Sequence, residues 1–493
     1  MNDDVPEGWV KTTLAHVISE MKTGPFGSAL HKSDYVIDGI PVINPVNIGR
    51  DRIEPSAEVS IGTGTFSKLQ EYALRNGDVI IARRGEMGRC AVVRESEAGW
   101  LCGTGSAVLR ASDAALPSFL QKLISSPAVR SYLSDASVGT TMDNLNQQMF
   151  REMEVLLPPI SEQRRIVAKL EELLNKVDAC QRRLKKIPGL IKRFRQGVLA
   201  AACEGRLTED WREQNDAEEA AVIIERIRAK RPAPYQNASV RDDLELPGVP
   251  ETWSWTNLRF LLSPAEAFCY GVVQPGVDAP GGALLVRAGD LVGGRVDTSA
   301  LRHIPLAVHS EYMRSQLAGG EILVTVVGAG IGETAIAQPE CAGFNIARAV
   351  AKLPVREFEA RYVHFWLCTS IAVGWMKGDS REVARPTLNL EQLKTLPVPV
   401  PSLAEQQEVV RRIEALFALA DHLESRYHRA VSLVDKLTPA LLAKAFRGEL
   451  VPQDPDDEPA GVMLERIRTE REKAQPAERQ KRGRAHREVR TNQ

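Results

Sequence analysis

The residues of this chain best suited to chemistry fall in a few short stretches. Gly328-Ala329-Gly330-Ile331-Gly332 follows the apolar run ILVTVV, as a strand entering a dinucleotide-binding loop would. Such a loop must open a helix, whose N-terminus holds the pyrophosphate, yet the following ETAIAQPE is short and alternating. The corresponding first-half segment, IIARRGEMGR, keeps Gly85 and Gly88. A β-turn between paired strands is therefore expected in both places. Arg83 and Arg84 sit at a strand end beside that glycine turn, and Arg348 opens ARAVAKLPV in the second half. The polar stretch GTTMDNLN (139–146), with Thr140, Thr141, Asn144 and Asn146, aligns with ARPTLNLE (384–391), with Arg385 and Asn389. Arginine can read guanine with two hydrogen bonds, and asparagine can read adenine. These nine side chains are candidate DNA contacts, although arginines at strand ends are commonly just solvated.

Other chemistry finds little purchase. Asn44-Pro45 in INPVN matches half of the NPPF-type tetrad of adenine methyltransferases, and the second half has Arg287-Ala288 there, so a loop is expected. No GxxxxGK[ST] loop, GxSxG elbow, HExxH pair or calcium-loop spacing occurs, and no catalytic or metal-ligating residue is assigned. The seven cysteines (Cys90, Cys102, Cys180, Cys203, Cys269, Cys341, Cys368) are scattered and never spaced as CxxC, which suggests neither a disulfide framework nor a zinc site. A net charge of −1 and a pI near 6.7 argue against a generally basic surface, so any nucleic-acid footprint must be local. No apolar run approaches the length of a membrane span, and the acidic opening MNDDVPEGWV is unlike a signal peptide. A cytoplasmic location is expected.

What must position the candidate residues is a repeat. LLPPISEQRRIVAKLEELLNKVD (156–178) is answered by PVPVPSLAEQQEVVRRIEALFALAD from Pro397, with Glu162-Gln163 and Glu405-Gln406 offset by 243 residues. PEGW and PETW place Trp9 and Trp253 244 apart, so the duplication reaches the start of each half. Within each half, Val/Ile-rich runs (39–48, 76–93, 105–111; 283–291, 319–337, 347–355) predict strands, and 118–135 and 360–378 predict helices. Beyond each globule the apolar residues step by four and three: Ile166, Leu170, Leu173, Val177, Cys180, Leu184 in one helix and Val409, Ile413, Leu416, Ala420, Leu423, Tyr427 in the other. This is a heptad seam, which needs a partner helix. Pro188 and Pro439 should kink or end the two helices at different places. Residues 158–207 carry 12 Lys/Arg against 5 Asp/Glu, in runs RRLKK and KRFR, either a solvated face or a contact for phosphate or an acidic partner. The resulting order is a globule (1–157), a helical region (158–207), a linker with a charged helix (208–249), a second globule (250–400), a second helical region (401–450), and a C-terminal helix with a polar tail (451–493).

The joined features PPISEQ, IKRFRQGVLAAACEGRLT and LTPALLAKAFRGELV resemble the specificity subunit of type I restriction-modification systems over nearly the whole chain. The resemblance implies an α+β protein: two mixed α/β target-recognition domains, separated by two long helical regions that form an antiparallel coiled coil about a pseudo-twofold axis. It also implies a non-catalytic subunit that binds a bipartite double-stranded DNA site, one domain per half-site. Two modification subunits would join it, and through them restriction subunits. S-adenosylmethionine, ATP and Mg would belong to those partners, and this chain would hold no cofactor.

A different class of protein shares the heptads, namely a coiled-coil scaffold whose globules bind protein. A salt titration separates the two. Phosphate contacts release counterions, so affinity for duplex DNA should fall by orders of magnitude between about 50 and 200 mM salt; no salt-dependent DNA affinity would favour the scaffold.

Overall fold

The computed structural model describes residues 5–25, 29–49, 51–86, 88–137, 147–241, 244, 246–378 and 387–470. The chain divides into two compact units, Met1–Lys185 with Arg429–Gln493, and Lys186–His428.

Unit 1 is built around the strand Val79–Ala82, all of it buried. A strand points alternate side chains to opposite faces. Val79 and Ile81 accordingly enter one core with Leu14, Leu109 and Phe119, while Ile80 and Ala82 enter another with Ile43, Ile48 and Val108. Burial on both faces is why VIIA is apolar throughout. This strand pairs antiparallel with Cys90–Val92 and with Ser106–Ala111, which in turn pairs with Ile18–Thr23. Ile40–Ile43 lies in a second sheet, parallel to Leu101–Cys102. The apolar stretch expected to continue to Ile48 stops at Ile43, because Pro45 opens a 3-10 turn, Pro45–Asn47. The helix expected over 118–135 is two helices, Pro117–Ile124 and Pro127–Ser137, since Pro127 lacks the amide needed to continue the first.

Unit 2 uses the same scheme. Ile322–Thr325 is buried, with Ile322 and Val324 in one core and Leu323 in another. It pairs antiparallel with Val350–Leu353 and with Thr334–Ile336. The glycine-rich loop therefore lies inside a hairpin, as a β-turn reading requires, with Gly328 (φ +99°) and Gly332 (φ +87°) in the left-handed region. The expected helix over 360–378 breaks into Ala360–Leu367 and Ser370–Gly378, where Thr369 Oγ1 accepts from Ala372 N at 3.2 Å.

Three long helices carry the heptads: α1 (Ile160–Leu184) in unit 1, α2 (Ile187–Cys203) in unit 2, and α3 (Leu403–Phe446), contributing to unit 2 up to His428 and to unit 1 from Arg429. Pro188 is the second residue of α2, so the first helical region breaks just before it. Pro439, in contrast, lies inside α3 and does not end it. Apolar packing of Leu442 and Ala445 into the unit 1 core on its C-terminal side offsets the roughly 3 kcal/mol that an interior proline costs. Of the seam, Ile166, Leu170, Val177, Val409 and Ile413 are buried, and Leu173, Leu184, Leu416 and Tyr427 are half-buried. Leu423 is 44% exposed, contrary to a continuous seam. Ile166, Leu170, Val409 and Ile413 also belong to the globule cores, so the seam is apolar partly because each helix starts on a globule.

That start is built alike in both units. Trp9 and Trp253 each open a two-stranded ribbon, Val10–Thr13 with Glu154–Leu157 and Ser254–Asn257 with Pro397–Val400. Trp9 Nε1 donates to Glu162 Oε2 at 2.9 Å, and Trp253 Nε1 to Glu405 Oε2 at 2.9 Å. The neighbouring Gln163 accepts from Leu116 N and donates to Ala114 O and Pro158 O; Gln406 accepts from Glu359 N and donates to Pro401 O. A strap then closes each unit. Gly448 and Gly205, both left-handed, bring it so close that a Cβ would stand 2.6 Å from Pro6 Cγ and 2.4 Å from Pro250 Cγ. Ala460 N donates to Gly8 O at 2.8 Å, and Ala220 N to Thr252 O at 3.0 Å.

Replacing Gln163 by leucine keeps its volume but leaves the Leu116 amide and two carbonyls unpaired in the core. Gln163→Leu should cost about 1–3 kcal/mol, read as a lower urea midpoint, while Gln148→Leu at an exposed position should stay within about 0.5 kcal/mol.

Candidate nucleic-acid interface

At one end of the central sheet in each unit, four chain segments are held together by three backbone bonds, the first two joining equivalent residues in the two units and the third falling on different ones. In unit 1, Gly103 N donates to Ile43 O (2.9 Å), Arg83 N to Gly105 O (3.0 Å) and Gly24 N to Ser106 O (3.0 Å). In unit 2, Ala347 N donates to Val286 O (2.8 Å), Val326 N to Ala349 O (2.8 Å) and Val272 N to Ile346 O (2.7 Å). Glycine makes this approach possible. A Cβ on Gly24 would lie 1.9 Å from Gly103 O, and one on Gly271 1.7 Å from Ile346 O. The cluster thus gathers the ends of several strands into one surface whose backbone is fixed and whose side chains differ between units.

Several candidate residues lie here. Arg83 is buried, and burial, with Arg84 beside it, holds its pKa below the usual value; Arg84 is exposed and faces outward. In unit 2, exposed Arg348 donates its amide to Val272 O at 2.9 Å. Leu388 N bonds Val326 O at 2.8 Å, which brings Asn389 to the same loops. Asn389 Oδ1 accepts from Glu391 N at 3.0 Å, so this side chain serves as a helix cap. Thr140, Thr141, Asn144, Asn146 and Arg385 lie outside the described residues.

The loop read from sequence merely as a loop proves central to the cluster. Asn44 N donates to Asn47 Oδ1 (3.1 Å), Asn47 N to Asn44 O (2.9 Å), and Glu54 N to Asn47 O (2.8 Å). Each bond recurs in unit 2: Arg287 N to Asp290 Oδ2 (2.8 Å), Asp290 N to Arg287 O (3.0 Å), and Asp297 N to Asp290 O (2.7 Å). Asn47 and Asp290 are buried beneath the turn. The signal that could have found it was the constant spacing combined with a change of residue type, Asn…Asn to Arg…Asp.

Two other features are structural. A cleft of about 600 Å³ in unit 1 is lined by Lys122 and Arg130, which pair with Asp51 (3.0 Å) and Glu86 (2.5 Å). Unit 2 has Phe365 and Phe417 at the positions of Lys122 and Leu174, with ring centroids 5.8 Å apart. Burial pushes the pKa of His364 down to about 4, leaving it neutral among core residues. Among the described residues no group of His, Cys, Asp or Glu could hold a metal ion, and no helix is long and apolar enough to cross a membrane.

Residues 6–188 and 312–430 match the family model described as the type I restriction modification DNA specificity domain. The chain is 39% identical over 357 residues to the type I restriction enzyme EcoBI specificity subunit of Escherichia coli, covering 70% of each. It is 27% identical to the EcoKI specificity subunit of Escherichia coli strain K12, covering 95% of this chain and 96% of that one. A chain solved in work on complex assembly and conformational transition of the type I R-M system superposes with a TM-score of 0.61 over 90% of this chain and 99% of its own, at 20% identity, a likeness of fold.

Because Gly271 tolerates no Cβ while Gly289, in the adjoining turn, has open space around it, the two make a matched test. Gly271→Ala should destabilise by about 1–3 kcal/mol and Gly289→Ala should be nearly neutral, as read by urea unfolding.

Proposed function

This chain belongs to the type I restriction-modification DNA specificity family, and on that premise we propose that it is the sequence-reading subunit of such a complex. It binds a bipartite double-stranded DNA site with one globule per half-site, and the loop cluster of each globule faces its half-site. It is not itself a catalyst. The observation that carries the reading is the recurrence of one backbone cluster in both units with different side chains upon it, as two readers of different sequences require.

The two helical regions pair antiparallel as a coiled coil and set the spacing between half-sites. What supports the pairing is the order of contacts. Gln181 of α1 meets Asp435 at 3.3 Å, while Ile166 and Leu170 share a core with Leu442 and Ala445. Arg195 of α2 meets Asp421 (2.5 Å) and Glu424 (2.9 Å), while Val198 and Ala202 share a core with Val409 and Ile413. The pseudo-twofold relation is approximate, since Pro188 corresponds to Val431 and Pro439 to Gln196. The domain borders are those of the repeat: globules 1–157 and 250–400, helical regions 158–207 and 401–450, with the strap-bearing segments 208–249 and 451–493 following each. Modification subunits, two per chain, dock on the helical regions and bring S-adenosylmethionine; restriction subunits join through them with ATP and Mg. The complex works in the cytoplasm.

A rigid spacer makes a sharp prediction. One added base pair shifts a half-site by about 3.4 Å and turns it by about 34°, so lengthening the gap by one should weaken binding at least about tenfold in a gel-shift titration. Binding that ignores the gap would contradict the spacer role.

A further inference from the structure

We propose that the loop position held by Asn44 in unit 1 and Arg287 in unit 2 reads a base pair, with Arg287 taking a guanine in the major groove. This rests on the DNA-reading function above and assigns it a residue. The backbone of the two loops is the same bond for bond, so the difference between them lies in the side chains. In unit 1 the buried Asn47 holds the turn by accepting from Asn44 N, and its Nδ2 donates to Glu54 O at 3.0 Å. A neutral amide is thus sufficient for the turn. Unit 2 nevertheless buries a carboxylate there, Asp290, and its charge is matched by Arg287, whose Nε and Nη2 donate to Asp290 Oδ2 and Oδ1 at 3.1 and 2.9 Å.

That pairing uses one edge of the guanidinium. Nη2 also donates to Ala300 O at 3.3 Å, and the side chain remains 47% exposed. A guanidinium has five donors in a rigid fork. Nε and one Nη2 hydrogen are tied to the buried carboxylate and the other Nη2 hydrogen is on Ala300 O, which leaves the Nη1 donors for DNA. Exchanging the long Ala300 bond for a base adds Nη2, and the Nη1/Nη2 pair then matches O6 and N7 of guanine. Asp290 fixes the rotamer before DNA arrives, which lowers the entropy lost on binding. An ordinary surface ion pair would need no buried partner and would contribute little to stability. In unit 1, Asn44 offers an amide that can pair with adenine, and Val46 beside it is 81% exposed, where a thymine methyl could meet it.

The test is selection from a randomised duplex pool by the full chain assembled with its modification subunits, followed by sequencing of the bound fraction. Arg287→Ala should erase the preference for one G·C pair in one half-site and weaken binding to the wild-type consensus about 5- to 150-fold, leaving the other half-site's preferences and the affinity for random duplex unchanged. Asp290→Asn keeps the turn, as Asn47 does, but releases Arg287, and should relax the same position to a smaller extent. An unchanged preference profile for Arg287→Ala would overturn the assignment, as would an equal loss on consensus and random duplex, the mark of a phosphate contact. A wild-type complex with no sequence preference would overturn the DNA-reading function itself, a distinct result.

Discussion

A buried glutamate at the head of a helix, held by a tryptophan indole, is the contact on which each unit depends. Glu162 accepts from Trp9 Nε1 and, at 3.2 Å, from Gln453 Nε2; Glu405 accepts from Trp253 Nε1 and, at 2.8 Å, from Thr208 Oγ1. Each carboxylate stands in the first turn of its helix, where negative charge is favoured by the free amides. It therefore ties three things at one point: the first strand of the globule, the start of the long helix and the closing strap. Burial drives the Glu162 pKa upward, and the bonds from Trp9 and Gln453 act against it. Without those donors the charge would be too costly to bury.

From that point the rest of each unit follows in order. The ribbon begun by the tryptophan returns the chain to the helix start, and the glutamine beside the glutamate bonds the loop entering Pro117–Ile124 in unit 1 and Ala360–Leu367 in unit 2. The central strand so anchored is buried on both faces, which leaves the strand ends as the place where side chains are free to vary. Glycine at 24 and 271 lets those ends touch. The scaffold is thus constrained where the two units agree and permissive where they differ. Such a division suits a protein that keeps one geometry and reads two sequences.

Much of this was legible in the sequence, for identifiable reasons. Trp9, Glu162 and their counterparts stand out because a long-range contact in a duplicated fold repeats at fixed spacing, although spacing alone does not say that the indole meets the carboxylate. Strand and hairpin patterns at 79–82 and 322–336 were visible because burial on both faces demands unbroken apolar runs. The heptads were legible as apolar positions, but Leu423 shows that periodicity does not fix which turns are covered, and Pro439 shows that packing can override a helix breaker. Least legible was the loop at Asn44 and Arg287. Its importance comes from close approach to strands distant in sequence, and a short polar turn carries no local sign of that.

The central claim is that two differently decorated copies of one loop cluster read two separated half-sites for the complex. Mapping methylated adenines in the genome of a host carrying this chain and its partner subunits tests it most directly. A motif of two unlike half-sites, separated by a constant number of unspecified base pairs, is the predicted result. A single contiguous motif, or half-sites at variable separation, would contradict the account.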